Sequence, residues 1–113
     1  MSPASRPLRG QVYFLDAPRV GPHFRLVVSA NPRNAHADDV LATVITSTPP
    51  RSPRPSYVPL RTGVDPFEGW VKCDHVGPID IDQLGSFKGA LSGRTMRLVD
   101  DGLAFALGLR RSA

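Results

Sequence analysis

The sequence has a single cysteine, Cys73, among 113 residues, and it has no long apolar run. One thiol cannot form an internal disulfide and offers no second thiolate for a metal site, which is typical of proteins in a reducing compartment. No apolar stretch approaches the roughly 20 residues that a membrane-spanning helix needs, and residues 1–15 lack the apolar core of a secretion signal. We therefore expect a cytoplasmic protein whose fold is held by packing alone.

Lysine is almost as scarce, since 12 of the 14 basic residues are arginine. The formal charge of +4 arises in residues 1–61, which hold eight arginines against three acids, whereas residues 62–113 hold six basic and seven acidic residues. Guanidinium groups bind phosphate oxygens in bidentate fashion and stack on bases. The uneven charge favours an anionic partner, although an arginine-biased composition with a solvated surface explains the same count.

Helical patterns are also rare. Twelve prolines and ten glycines divide the chain into short segments rich in β-branched and aromatic residues, as strands are. We interpret residues 1–113 as one domain with a flexible N-terminal tail at 1–8. The predicted fold class is mainly β: a small SH3-like antiparallel barrel, or a strongly bent sheet, of about seven short strands or fewer, closed by a C-terminal helix.

The positions of these prolines and glycines also predict the individual strands, loops and helices. The predicted strands are 11–15, 25–30, 40–47, 56–61, 69–76 and 87–91. Residues 16–24 and the proline-rich 48–55 are predicted as loops, 31–39 as a loop or a single helical turn, and 80–84 as a short helical turn. The second strand is continuously apolar after its first residue, which predicts a central position in the sheet. A long helix is predicted to begin after Ser92, a favourable N-cap.

Several phrases, taken in order, carry a resemblance to a known family. They are Arg9-Gly-Gln-Val-Tyr-Phe14, Arg25-Leu-Val-Val-Ser29, Ala42-Thr-Val-Ile-Thr46-Ser47, Tyr57-Val-Pro-Leu60, Pro78-Ile-Asp-Ile-Asp-Gln-Leu84 and the final helix. In this order and spacing the chain resembles the MazF/PemK family of toxin endoribonucleases. It departs from the family pattern at Leu26, where proline is usual, and at His75-Val76, where Gln-Ile is usual; the 16–24 loop is also shorter.

The resemblance implies a function and its partners. It implies a metal-independent, sequence-specific endoribonuclease that acts as the toxin of a type II toxin-antitoxin system. Such an enzyme cleaves single-stranded RNA to 2′,3′-cyclic phosphate and 5′-hydroxyl ends without a cofactor. Family members are homodimers neutralised by an acidic, MazE-like antitoxin. The three histidines, Cys73 and the acids are scattered along this chain, so the residues themselves predict no metal site.

The resemblance also implies the site residues. Arg25 would brace the scissile phosphate, and Thr46 would donate a hydrogen bond to it. An arginine pKa above roughly 12 makes a poor base near neutrality. His23, two residues earlier in the predicted loop, is therefore a candidate acid or base. The residues expected to bind RNA are Arg19, Ser47, Arg51 and Arg54. Each of these residues also has an ordinary interpretation, as a surface charge, a strand former or turn polarity.

Two alternatives keep the fold and drop the cleavage. One is a CcdB-like toxin that poisons DNA gyrase, but such toxins typically expose a tryptophan near the end of the C-terminal helix, and this chain has only Trp70. The other is a barrel that binds RNA without cutting it, which would show salt-sensitive affinity and leave the RNA intact.

Overall fold

The computed structural model describes residues 6–17 and 21–109. Within them the chain forms strands β1 (Gln11–Ala17), β2 (Gly21–Val27), β3 (Asp39–Thr46), β4 (Tyr57–Pro59), β5 (Trp70–Asp80) and β6 (Phe87–Ala90). The helices are α1 (Asn31–Asn34) and α2 (Gly93–Leu107), and a 3-10 turn covers Ile81–Gln83. None of the helices in this part of the chain has the length and apolar character needed to span a bilayer.

The strands form one antiparallel sheet in the order β4-β5-β3-β2-β1-β6, curled into a half-barrel. The mainly β class with a C-terminal helix is thereby confirmed, as is the central position of the second strand. Ser92 is the N-cap of α2, where its Oγ accepts a hydrogen bond from Thr95 N at 3.1 Å. The order of elements is as the sequence predicts.

The main core lies between the sheet and α2. Alternate strand residues point toward the helix, which packs on β4 and β5. This core includes Val12, Leu26, Ile45, Val58, Val71, Cys73, Met96 and Val99. The intervening residues point away from α2, and part of that second face is covered by the 3-10 turn, where Val27, Val40, Ala42 and Ile81 form a smaller cluster. We call the remainder of this second face, defined by Arg25, Val44, Thr46 and Lys72, the site face.

Asp65 attaches the loop between β4 and β5 to the beginning of α2. Its buried carboxylate accepts hydrogen bonds from Arg61 N at 2.8 Å, Ser92 N at 2.9 Å and Thr95 Oγ1 at 2.6 Å. Burial alone would raise the pKa of Asp65, but these hydrogen bonds outweigh it and leave the pKa lowered. A carboxyl whose pKa is depressed by folding stabilises the fold above its unfolded pKa of about 3.9, and that contribution is lost as the pH falls through the folded value.

Strand β2 begins at Gly21 rather than at Arg25, so the predicted 16–24 loop is wrong over most of its length. The hairpin with β1 continues through Leu15↔His23 to Ala17↔Gly21. Gly21 and Pro22 favour a loop in the sequence, but β3 pairs with β2 only as far as Phe24. Pro22 therefore has an open edge on one side, where its missing N–H is not needed. Arg25 consequently lies inside the strand, not at its beginning.

Strand β5 is also longer than predicted, because it runs through Gly77 and Pro78 to Asp80 and only Ile81–Gln83 forms a turn. Of the predicted tail, residues 1–5 lie outside the described residues. Arg6 Nε donates to Asn34 O at 2.9 Å and Pro7 is buried. Residues 6 and 7 of the predicted tail are therefore in contact with the fold.

Candidate active site

Arg25 is the most unusual side chain on the site face. It is only 8 % exposed, yet its Nη1 is buried without a hydrogen-bond partner among the described residues. Burial lowers the pKa of Arg25, since a guanidinium removed from water loses its hydration. An isolated buried charge destabilises a fold by an amount on the order of several kcal/mol, which is the effective desolvation penalty of one ion. Such a group is suited to an anion that arrives from outside.

Thr46 is the last residue of β3 and lies diagonally across from Arg25, which pairs directly with Val44. Diagonal neighbours on paired strands are about 7–8 Å apart, which a phosphate and its two ester oxygens can bridge. Thr46 Oγ1 accepts a hydrogen bond from Thr48 N at 3.1 Å. The hydroxyl is therefore oriented by the backbone, and its own proton remains available to donate.

A depression beside Thr46 is lined by cations and an aromatic ring. Its walls include Thr46, Arg51, Arg54, Tyr57 and Lys72. The Arg54 guanidinium lies 5.1 Å from the centre of the Tyr57 ring, and Lys72 Nζ lies 5.9 Å from it. Arg54 also approaches Asp74 at 3.6 Å. This arrangement combines positive charge with a surface on which a base can stack.

The sequence predicted the two arginines of this depression but missed Tyr57 and Lys72. Tyr57 and Lys72 are direct cross-strand partners, and both alternate with residues of the main core. That alternation is visible in the sequence, where Val58, Val71 and Cys73 are apolar neighbours. Only the β4–β5 register shows that the two side chains meet.

A second depression contains Arg25 itself. It is formed by residues of β1, β2, β3 and the far half of β5, and His75 lies in it. His75 is exposed and was not among the predicted site residues. Its proximity to Arg25 depends on the β3–β5 pairing, which joins segments about thirty residues apart and leaves no local signal.

The remaining predicted residues line a third depression or are not among the described residues. His23 is half-buried in β2, not in a loop, and lines a hollow with Thr46, Ser47 and Glu68. Ser47 is exposed, as are Arg51 and Arg54. Arg19 lies outside the described residues. The structure thus brings His23, Ser47, Arg51 and Arg54 close to Thr46, whereas Arg25 borders a different hollow.

The site face has neither a reactive thiol nor a cluster of metal ligands among the described residues. Cys73 is buried in the main core, and burial raises the pKa of its thiol to about 12. Such a thiol is not a nucleophile near neutrality. Among the residues that the structure describes, no group of three His, Cys, Asp or Glu side chains is arranged to hold a metal ion.

Known proteins share the sequence pattern and the fold of this chain. The family model described as PemK-like, MazF-like toxin of type II toxin-antitoxin systems matches residues 8–107. Endoribonuclease MazF1 of Mycobacterium bovis and endoribonuclease MazF4 of Mycobacterium tuberculosis are each 40% identical over 103 residues, covering 91% of this chain and 94% of those proteins.

Solved structures show the same fold. A mycobacterial endoribonuclease in complex with its cognate antitoxin superposes with a TM-score of 0.85 at 39% identity, over 94% of this chain and 99% of that one. A MazE-MazF structure from Deinococcus radiodurans superposes with a TM-score of 0.76 at 21% identity, over 93% of this chain and 98% of the other, which supports the fold alone.

Proposed function

Because the chain belongs to the PemK-like, MazF-like toxins of type II toxin-antitoxin systems and is an endoribonuclease of that family, we propose that it cleaves single-stranded RNA at specific sequences without a metal ion. The products are a 2′,3′-cyclic phosphate and a 5′-hydroxyl. The observation that carries this proposal is the buried guanidinium of Arg25, which has a nitrogen without a partner among the described residues and lies diagonally across from a hydroxyl that can still donate.

The chemistry requires charge stabilisation more than a nucleophile from the protein. RNA supplies its own 2′-hydroxyl, which attacks the adjacent phosphorus while the bond to the 5′-oxygen breaks. Negative charge grows on the non-bridging oxygens in the transition state. In the proposed mechanism Arg25 pairs with these oxygens and Thr46 donates a hydrogen bond to one of them, and oriented donors in a dry site stabilise such charge strongly.

The strand that leads to the scissile phosphate is proposed to follow the cationic depression beside Thr46. Arg51 and Arg54 contact backbone phosphates there, and Ser47 lies at the edge of the neighbouring hollow. Arg19 is proposed to extend this track. Trp70 begins β5 and is not part of α2, so nothing favours the gyrase-poisoning alternative.

The proposed partners follow from the relatives. A solved relative at 39% identity is an endoribonuclease in complex with its cognate antitoxin. We propose that this chain is likewise neutralised by an acidic, MazE-like antitoxin, and that it acts as a cytoplasmic homodimer of single-domain chains. An acidic segment complements the arginine-rich half of the sequence.

The proposal is tested by incubating the purified chain with a long single-stranded RNA transcript in EDTA. We expect discrete fragments whose 5′ ends accept phosphate from a polynucleotide kinase without prior dephosphorylation. The 3′ ends should resist ligation until the cyclic phosphate is opened and the resulting phosphate is removed to leave a free 3′-hydroxyl. Salt-sensitive binding with intact RNA would instead support the non-catalytic barrel, and cleavage that appears only after a divalent metal is added would contradict the metal-free mechanism.

Lys72 offers a prediction about binding rather than cleavage. Lys72→Gln removes one cation from the depression beside Thr46, so it should weaken the affinity for an RNA whose scissile ribose is 2′-deoxy. The salt slope of log Kd should change by about 0.7, the value for one phosphate contact on a single strand. Fluorescence anisotropy between low and moderate salt measures both quantities.

Lys88→Gln is the matched control for Lys72→Gln. Lys88 also lies near an aromatic ring, with Nζ 6.0 Å from the centre of Phe14, but it belongs to β6 at the other edge of the sheet. Its replacement should leave the salt slope unchanged. Equal slopes for the two variants would place the RNA track elsewhere.

A further inference from the structure

We infer that His75 is the general base of this reaction: its imidazole takes the proton from the RNA 2′-hydroxyl while Arg25 holds the scissile phosphate. The inference rests on the endoribonuclease function proposed above, and it fills the acid–base role that neither Arg25 nor Thr46 can readily perform. It assigns this role to a residue in the hollow of Arg25 and not to His23.

A bulge in β5 places His75 at this position. The register between β3 and β5 passes from Val44↔Lys72 to Ala42↔Gly77, so that residues 73–76 lie opposite the single residue Thr43. The Thr43 hydroxyl donates to Lys72 O, and Cys73 N donates to Ser56 O at 2.8 Å. These bonds fix the beginning of the bulge, whose extra residues move His75 out of the regular ladder. Bulges often re-aim a side chain in this way.

The hollow has a simple composition. Among the described residues that line it, Arg25 and His75 have the only polar side chains. The others are Leu15, Ala42, Val44, Val76, Gly77, Pro78 and Ile79. A phosphate that enters this hollow to reach Arg25 therefore has one neighbouring imidazole, the side chain that most often serves as a general base.

Charged groups near His75 do not neutralise this hollow. Asp74 precedes His75, but its Oδ2 accepts a hydrogen bond from Ser56 Oγ at 2.9 Å and lies 3.6 Å from Arg54 Nη1. Among the described side chains, the β1, β2 and β3 segments that line this hollow contribute Leu15, Ala42, Val44 and, as their one charged group, Arg25. Among the described residues, none forms a hydrogen bond or an ion pair with the imidazole of His75. The ring is therefore open to accept a proton from a ligand.

Other candidates for the base are less suited by position or chemistry. Tyr13 pairs directly with Arg25, but it is buried, its hydroxyl donates to Gln11 Oε1 at 2.9 Å, and burial raises its pKa. His23 borders the hollow of Thr46 together with Glu68. It is therefore on the side of the phosphate where Thr46 donates, not within the hollow that Arg25 shares.

The proposed cleavage step balances with water as the only additional reactant. The 2′-oxygen forms its bond to phosphorus as its proton passes to the His75 imidazole, and the bond from phosphorus to the 5′-oxygen breaks. The leaving 5′-oxygen takes a proton from solvent water. The imidazolium then returns its proton to the hydroxide left behind, so the enzyme ends in its starting state.

The test is the pH profile of single-turnover cleavage at saturating RNA. In the wild-type chain, the logarithm of the rate should rise with pH and then level off, as expected when a single general base must lose its proton. His75→Gln keeps a polar side chain but cannot titrate, so it should lose this rise and cleave about 100-fold or more slowly on the plateau. The matched control is His36→Gln, because His36 is an exposed histidine that follows α1. This variant should keep the wild-type profile.

Chemical rescue gives a second measurement. His75→Ala should regain part of its rate when free imidazole is added, whereas Arg25→Met should not. An unchanged pH profile in His75→Gln, an absence of imidazole rescue, or a loss of the rise in His23→Gln in place of His75→Gln would each overturn the inference. If the wild-type chain cleaves no RNA at all, the proposed function fails; if it cleaves and only the His75 variants behave as wild type, this inference alone fails.

Discussion

Arg25→Met is expected to abolish RNA cleavage while making the fold more stable. Methionine fills a similar volume without a charge, so it removes the guanidinium that stabilises the transition state and also removes the cost of burying it. Loss of one preorganised donor to a developing oxyanion lowers the rate by about 10²–10³-fold, and loss of the charge places the expected decrease at the upper end of that range. Exchanging a buried charge for an apolar group raises the free energy of unfolding by about 1–2 kcal/mol. Single-turnover kinetics and urea unfolding measure the two effects.

Arg9→Met is the control that separates the loss of a half-buried arginine with partners from the loss of Arg25. Arg9 forms an ion pair with Asp100, and its Nε donates to Val28 O at 3.0 Å. Its replacement should lower the free energy of unfolding by about 1 kcal/mol and leave cleavage intact. A destabilised Arg25→Met would mean that the guanidinium is satisfied within the fold, and a variant that still cleaves RNA would remove Arg25 from the mechanism.

Gly69→Ala should disturb the fold and the site together. Gly69 has a φ of 121°, and a Cβ there would overlap the carbonyl oxygen of Thr46. The Gly69 carbonyl also accepts a hydrogen bond from Leu60 N at 2.8 Å, which limits its movement. Backbone strain and overpacking together should lower the free energy of unfolding by about 4 kcal/mol. A displacement of Thr46 by about 1 Å should slow cleavage roughly 100-fold in the fraction that remains folded.

Gly63→Ala is the matched control for Gly69→Ala. Gly63 also has a positive φ, 80°, but nothing lies within 4 Å of its missing Cβ. Only the backbone strain applies, so the free energy of unfolding should fall by about 1–2 kcal/mol with no change in the cleavage rate. Similar rates for the two variants would show that Thr46 does not depend on its contact with Gly69. Urea unfolding and single-turnover rates on the same RNA decide the matter.

Much of the fold could be predicted from the sequence because its signals are local. The alternation of apolar residues, the proline-rich break and the capping residue Ser92 each act over a few neighbouring positions. The strand ends were less predictable, since pairing decided them. Gly21 and Pro22 predict a loop, but pairing with β1 places them in a strand. Pro78 predicts a turn, but pairing with β3 places it in β5.

The candidate site likewise has features that the sequence predicts and features that only strand pairing creates. Arg25 and Thr46 were singled out by resemblance, and their roles remain predictions. Composition could not show that Arg25 Nη1 has no partner among the described residues, nor that Arg25 lies in the same hollow as His75. Both depend on the register of strands that are distant in sequence and on a bulge whose position is set by a hydroxyl of the opposite strand. A motif search centred on local spacing has no access to such contacts.

The proline-rich loop that precedes β4 has a consequence for the entropy of binding. Four of the eight residues 48–55 are proline, and this segment presents both Arg51 and Arg54 beside Thr46. Each pyrrolidine ring fixes one backbone torsion and restricts the residue before it. The loop therefore has few conformations to lose when an RNA strand docks on it, and more of the electrostatic attraction is retained as affinity. The same stiffness restricts the distance between the backbone positions of Arg51 and Arg54, the two proposed phosphate contacts of this loop.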